Sequence, residues 1–113
     1  MARVFLSIGS NLGERRQNLQ AAIQRLRAAE GIRLLEVSRL YETEPWERAP
    51  GQIGSRAGWF LNCVVAVETG LAPAALLSAT QEIEAALGRA RSGAPQEAGR
   101  YEPRTLDIDI LLY

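Results

Sequence analysis

The chain has 113 residues, with thirteen basic and thirteen acidic side chains and therefore no formal net charge. Its 47% hydrophobic and 23% charged content is typical of a globular domain. A neutral chain has no overall field that would attract nucleic acid or an anionic membrane, so an anion site has to be local. All thirteen basic residues are arginine and there is no histidine, which excludes imidazole catalysis, histidine metal sites and lysine Schiff bases within the chain.

The single cysteine and the apolar segments indicate an ordinary intracellular domain. Cys63 lies in an apolar run and is interpreted as a small core residue, since it has no second cysteine with which to pair. No apolar stretch reaches the roughly 18 residues that span a bilayer, and the segment after Met1 is too short for a signal peptide. We expect one cytoplasmic domain over residues 1–113.

The first elements in chain order are a strand and a helix. Val4, Leu6 and Ile8 alternate with other residues, which predicts a strand. A turn with two glycines follows at 9–13, and its backbone is expected to pack against a ligand. Apolar residues then recur at helical spacing up to a glycine stop at Gly31. These apolar positions are Leu19, Ala22, Ile23, Leu26 and Ala29.

Two more strands and a long connection come next. Residues 32–43 are predicted as a second strand, which Glu44 and Pro45 end. Residues 44–58 form a loop, and 59–69 a third strand whose apolar residues on both faces indicate a central position.

A second helix, a second long loop and a last strand complete the order. The helix starts near Pro73 and ends near Gly88, the loop spans 89–104, and the strand spans 105–113. The helix is expected to bury Leu76, Leu77, Thr80, Ile83 and Leu87. The strand is expected to place Leu106, Ile108, Ile110 and Leu112 on one face.

This βαββαβ order predicts an α+β fold, a ferredoxin-like sandwich with a four-stranded antiparallel sheet and two helices on one face. Both long loops exceed the usual connection length in a small domain, and loops of such length are in general more often functional or disordered than neutral connectors.

The only two aspartates of the chain, Asp107 and Asp109, lie two residues apart on the last strand. Residues at this spacing point to one face with Cα atoms about 6.5–7 Å apart. Two carboxylates placed in this way can hold Mg²⁺, which proteins typically bind through one or two carboxylates plus substrate phosphates. The alternative is a pair of solvated side chains on an exposed strand face.

The loop before the aspartates is rich in arginine, with Arg89, Arg91, Arg100 and Arg104. Guanidinium groups bind phosphate through two parallel hydrogen bonds, so the loop and the aspartates together indicate a polyphosphate and metal site. A solvated basic loop is the alternative interpretation.

Two further groups of residues are candidates for ligand contacts. Gln81 and Glu84 are one turn apart on the second helix, near the arginine loop, and a plain solvated helix face is the alternative interpretation. Aromatic residues and one amide gather where the first loop meets its strands, which would suit a flat heterocycle. This group is Trp46, Trp59, Phe60 and Asn62, and the alternative for the asparagine is a bond to a neighbouring loop.

These segments together resemble the 6-hydroxymethyl-7,8-dihydropterin pyrophosphokinase family of folate biosynthesis. The residues that carry the resemblance are LSIGSNLG at 6–13, LYETEP at 40–45, FLN at 60–62 and PRTLDIDIL at 103–111. The last motif is the most specific, and the four occur in order along nearly the whole chain.

The resemblance implies transfer of a pyrophosphoryl group from ATP, the co-substrate, to the hydroxymethyl oxygen of the dihydropterin, with release of AMP. It implies two Mg²⁺ ions at Asp107 and Asp109, a pterin-reading amide at Asn62 and a stacking ring at Phe60. Further pterin contacts are implied for Gly9, Thr43, Pro45, Trp46 and Tyr101. Nucleotide contacts are implied for Gln81, Glu84, Arg89, Arg91, Arg104 and Ile110, of which Arg89 and Arg104 join the two aspartates as catalytic residues.

The chain departs from the family pattern in two places. The family continues after the aspartate strand with a histidine-containing stretch, whereas this sequence ends at Tyr113, so we expect the family's C-terminal segment to be absent. The first loop, 48–58, lacks the usual acidic approach to the third strand.

These departures keep three alternatives open: an impaired truncated enzyme, a regulatory domain, and a non-catalytic ligand-binding or RNA-binding module. RNA binding usually needs strand aromatics and a basic surface. This chain has no net charge, so small-molecule partners are expected, without nucleic acid or membrane partners. The oligomeric state is left open.

Overall fold

The computed structural model describes residues 1–44, 58–88 and 106–113. Within these ranges the helices and strands are β1 (Ala2–Ser10), α1 (Arg15–Ala28), β2 (Ile32–Val37), β3 (Tyr41–Thr43), β4 (Phe60–Thr69), α2 (Pro73–Gly88) and β5 (Asp107–Leu112). None of the helices in these ranges is long and apolar enough to cross a membrane.

The strands form one antiparallel sheet in the order β2-β4-β1-β5, and β3 also pairs with β4. The α+β ferredoxin-like arrangement is thus confirmed, and the third strand of the sequence prediction is central as expected. Within the described ranges the sheet has five strands instead of four, because the predicted strand at 32–43 is divided in two.

Ser38 explains this division in terms of hydrogen bonds. Its backbone N–H donates to the carbonyl oxygen of Val64 at 2.8 Å, and its hydroxyl accepts from the N–H of Val64 at 2.8 Å. A side-chain oxygen therefore takes the place of the backbone carbonyl that would continue the ladder. Between Val37 and Tyr41 the edge of the sheet contains one residue more than the part of β4 that faces it. One extra residue on one of two paired strands is the defining feature of a β-bulge. β2 and β3 consequently follow one another along the same edge of β4.

The hydrophobic core lies between one face of the sheet and the two helices. Val4, Leu6 and Ile8 of β1 are fully buried, as the period-two pattern predicts. The other buried apolar residues of this cluster are Leu19, Ala22, Leu26, Ile32, Cys63, Val65, Val67, Leu76, Ile83, Leu106 and Ile108. Burial raises the pKa of the Cys63 thiol, so this residue is a neutral core side chain, as interpreted from its apolar run.

Two apolar positions differ from the sequence prediction. Leu77 is exposed on α2, and the prediction that it is buried is wrong. Leu112 pairs with Phe5 while Ile110 pairs with Leu6, because the register shifts at this point. The prediction that Leu112 shares the face of Ile110 is therefore wrong, since the shift ends the strict alternation of β5.

Candidate active site

The sheet face away from the helices brings together polar residues from neighbouring strands. Gly9 pairs with Asn62 on one side and with Asp107 on the other, while Ser7 pairs with Asp109. Directly opposite residues of antiparallel strands share a face of the sheet. The amide and both aspartates therefore lie on one surface, with β1 between them.

A cavity of about 350 Å³ opens on this surface, a volume within the roughly 300–1,000 Å³ range of ligand sites. Its lining residues are Ser7, Gly9, Thr43, Glu44, Phe60, Asn62, Asp107 and Asp109. Six of these were candidates from the sequence, and the structure brings them together. Ser7 and Glu44 were missed, and the register that pairs Ser7 with Asp109 is what reveals the first of them.

Asn62 is held in the cavity by two neighbours. Its Nδ2 donates a hydrogen bond to Oγ1 of Thr43 at 2.7 Å. A Cβ atom at position 9 would lie 2.5 Å from Oδ1 of Asn62 and 3.3 Å from Cδ1 of Phe60. Because glycine has no Cβ, Gly9 leaves the space in which the Asn62 amide lies. The predicted alternative, an asparagine bonded to a loop, is replaced by a bond to a strand residue within the site.

The two aspartates offer a donor set of the kind that a hard cation takes. Asp107 is half-buried and Asp109 is exposed, so solvent and ligands can reach the face that they share. Among the residues that the structure describes, no group of three or more His, Cys, Asp or Glu side chains is placed to hold a metal. Two carboxylates nevertheless fit Mg²⁺, because this ion keeps several waters and usually takes substrate phosphates as its other ligands.

Glu84 contacts the aspartate strand from the outer edge of the sheet. Its Oε2 accepts a hydrogen bond from the backbone N–H of Ile108 at 2.8 Å, between the two aspartates. β5 is the last strand in the sheet order, so α2 supplies the partner that this edge amide needs. The contact ties the position of both aspartates to the helix layer.

Three residues that the resemblance assigned to the nucleotide lie in the described ranges, and none of these three is among the described residues that line the cavity. Gln81 is exposed on α2, one turn before Glu84, which reaches the edge of β5. Ile110 is half-buried and packs against the hydrophobic core. The structure therefore places these three residues on the helix side of β5 or at its edge, whereas the aspartates face the cavity.

The Glu84 contact leads to a prediction about stability. We expect Glu84→Ala to lower the free energy of unfolding by about 1–3 kcal/mol, because it leaves the edge amide of Ile108 without its charged acceptor. Urea denaturation monitored by circular dichroism measures this change. The matched control is Glu82→Ala, which removes an exposed glutamate from the same helix and is expected to change stability by less than about 0.5 kcal/mol. Equal stabilities of the two variants would contradict the assigned contact.

Six of the predicted site residues lie outside the described ranges, so their assignments stay predictions. They are Pro45, Trp46, Arg89, Arg91, Tyr101 and Arg104.

Comparison with known proteins links this site to a family of enzymes. The sequence profile of 7,8-dihydro-6-hydroxymethylpterin-pyrophosphokinase matches residues 5–113. A 2-amino-4-hydroxy-6-hydroxymethyldihydropteridine pyrophosphokinase of Methylorubrum extorquens is 41% identical over all of this chain and 64% of its own length. Proteins of the same name from Porphyromonas gingivalis and Pseudomonas aeruginosa are 46% and 41% identical.

The match with the Porphyromonas protein covers 100% of this chain and 70% of that protein. The match with the Pseudomonas protein covers 98% of this chain and 61% of that protein. The resemblance seen in the four sequence motifs is thus confirmed over almost the whole length of the chain. With the profile matched from Phe5 to the last residue, the chain belongs to the 7,8-dihydro-6-hydroxymethylpterin-pyrophosphokinase family.

Proposed function

We propose that this chain transfers a pyrophosphoryl group from ATP to the hydroxymethyl group of 6-hydroxymethyl-7,8-dihydropterin, giving the pterin diphosphate and AMP. The observation that carries the proposal is the shared cavity, in which an amide and an aromatic ring lie on one side of β1 and two carboxylates on the other. The names of the relatives, which identify dihydropteridine pyrophosphokinases, support it.

The β3–β4 side of the cavity suits the pterin. The Asn62 amide has two N–H donors and one oxygen acceptor, and one donor is used by Thr43. The second donor and the oxygen provide complementary partners for the amide-like edge of a pterin ring. Phe60 adds a flat apolar face in the same cavity, on which a conjugated ring can stack.

The β5 side of the cavity suits the phosphates. We assign two Mg²⁺ ions to Asp107 and Asp109, where bound Mg²⁺ would neutralise charge on the ATP phosphates. Both carboxylates are oriented by the backbone of β5, which β1 holds through Gly9 and Ser7. The role of the aspartates is accordingly to fix the phosphates relative to the pterin.

The reaction requires little covalent chemistry from the protein. The hydroxymethyl oxygen forms a bond to the β-phosphorus of ATP, the bond from that phosphorus to the oxygen bridging it to the α-phosphorus breaks, and the hydroxyl proton is lost. Catalysis of such a transfer is alignment plus charge stabilisation. Arg89, Arg91 and Arg104 are proposed to bind phosphate oxygens, on the strength of the family pattern and of guanidinium chemistry.

The proposal is tested by following nucleotide products by chromatography. The 113-residue chain is mixed with ATP, Mg²⁺ and the dihydropterin, and then with each component omitted in turn. We expect AMP to form only in the complete mixture and to stop when EDTA is added. Release of ADP, or AMP formation without pterin, would overturn the proposal. Tight binding of both ligands without AMP would instead favour the non-catalytic ligand-binding alternative.

A further inference from the structure

Arg15, the first residue of α1, contacts two distant segments of the chain. Its Nη1 donates a hydrogen bond to the carbonyl oxygen of Trp59 at 2.8 Å, across 44 positions of sequence. The same nitrogen lies 3.3 Å from Oε2 of Glu42, across 27 positions. The side chains of Arg15 and Glu42 are only 33% and 29% exposed, so water screens this ion pair less than one on the open surface. One guanidinium thus joins α1, β3 and the residue before β4.

Both partners of Arg15 directly precede residues that line the cavity. Glu42 precedes Thr43, Trp59 precedes Phe60, and Thr43 pairs with Phe60 across the β3–β4 ladder. Successive side chains of a strand point to opposite faces, so Glu42 points to the helix side while Thr43 points into the cavity. Arg15 therefore acts from behind the sheet, where it cannot touch a ligand in the cavity.

The part of the sheet that Arg15 supports is weak by itself. β3 has three residues, and within the described residues it pairs only with β4. Strands of this length on an edge contribute few hydrogen bonds and open readily. The hydrogen bond between Asn62 and Thr43 crosses this short ladder. Opening of β3 would therefore remove the partner that orients the Asn62 amide.

The start of α1, which carries Arg15, is itself held in place by hydrogen bonds to neighbouring segments. Asn18 of α1 is buried, and its Nδ2 donates to Oγ of Ser10 at 3.1 Å and to the carbonyl oxygen of Leu12 at 2.9 Å. Asn11 donates from Nδ2 to the carbonyl oxygen of Gly58 at 3.2 Å. The turn after β1 and the start of α1 thus form a fixed support beside the start of β4.

We propose that Arg15 is a positioning residue for the pterin side of the cavity. It holds β3 against the start of β4, so that Thr43, Phe60 and Asn62 keep the arrangement in which a pterin binds. The identity of the ligand rests on the proposed function. The contacts by which Arg15 holds β3, called the clamp below, do not. Without the guanidinium, a smaller fraction of the protein has the competent arrangement, and apparent pterin affinity falls by that fraction. Nucleotide binding on the β5 side is unaffected.

The test compares three variants of the full chain by calorimetry. The dihydropterin is titrated in the presence of a saturating non-hydrolysable ATP analogue with Mg²⁺, and the analogue is titrated separately. Arg15→Met is expected to raise the pterin Kd about tenfold, which is the order expected for loss of charge-assisted hydrogen bonds, and to leave the analogue Kd unchanged. Arg15→Lys is expected to restore most of the affinity, because an ammonium group can donate to both oxygens. Arg16→Met removes the same charge from the exposed neighbouring position and is expected to have no effect.

Amide hydrogen exchange of the ligand-free protein tests the clamp independently of any ligand. We expect faster exchange in Arg15→Met than in the unchanged chain across 41–43 and 60–62, with no change in the rest of β4. Unchanged exchange in these segments would overturn the proposal, as would equal loss of pterin and nucleotide affinity. If the unchanged chain binds no pterin, the proposed function fails, and exchange alone then decides whether Arg15 holds β3.

Discussion

Asp107→Asn and Asp109→Asn are each expected to lower the rate of AMP formation by about a hundredfold to a thousandfold, with the fold intact. Each substitution keeps the shape of the side chain and removes the charge that we propose to hold Mg²⁺ and, through it, the phosphates. Losses of this order are typical when a group that stabilises developing charge is removed. Both side chains lie on the open face of the sheet, outside the hydrophobic core, so neither substitution removes core packing.

The matched control for these variants is Glu36→Gln. It removes the same charge from an edge-strand side chain that is 76% exposed and 3.8 Å from Arg3. We expect its AMP formation and its dependence on Mg²⁺ to equal those of the unchanged chain. Thermal unfolding of all three variants separates loss of activity from loss of fold. Retained turnover in either aspartate variant would remove the assignment of the cation site.

The aspartate pair was predictable from the sequence for a simple geometric reason. Residues i and i+2 share a face of any strand, so Asp107 and Asp109 lie together however the sheet is assembled. What faces them depends on which strands pair and in what register, and no local pattern contains that information. Ser7 was missed for this reason, since only its pairing with Asp109 brings it into the cavity.

The order of helices and strands was predictable because it follows from local periodicity and from glycine and proline positions. The division of the predicted strand at 32–43 was not predictable, because it depends on a hydrogen bond that the Ser38 hydroxyl accepts. Ser38 bonds to Val64 through both its backbone N–H and its side chain, and this contact exists only once β4 is alongside. The register shift before Leu112 is likewise a property of the pairing with β1.

Contacts between distant segments also could not be predicted from the sequence, because they form only in the folded chain. Glu84 was a candidate for a ligand contact, with a solvated helix face as its alternative, and Arg15 was not singled out at all. Glu84 binds the amide of Ile108, and one of the two partners of Arg15 is the carbonyl of Trp59, so both contacts involve backbone groups. A backbone group has no residue-specific signature in the sequence, so such contacts become visible only in the folded chain.

Gly9→Ala is expected to raise the Kd for the dihydropterin by about 10- to 100-fold while lowering stability only slightly. The new Cβ would lie 2.5 Å from Oδ1 of Asn62, which is shorter than any normal contact, so the amide has to move away from its position beside Thr43. The loss then corresponds to one or two hydrogen bonds with the pterin. The cost to the fold is small, because the nearest atom belongs to the end of a side chain and Gly9 is not among the glycines with a positive φ angle.

A double-mutant cycle distinguishes an effect through the amide from a direct effect of Gly9. The pterin Kd is measured for Gly9→Ala, Asn62→Ala and the double variant, with Gly70→Ala as the matched control, since a Cβ there meets nothing within 4 Å. If Gly9 acts by making room for Asn62, the double variant binds about as weakly as Asn62→Ala alone, because the two changes remove the same interaction. Fully additive losses would mean that the backbone at Gly9 contacts the ligand itself, and that the space it leaves for the amide is incidental.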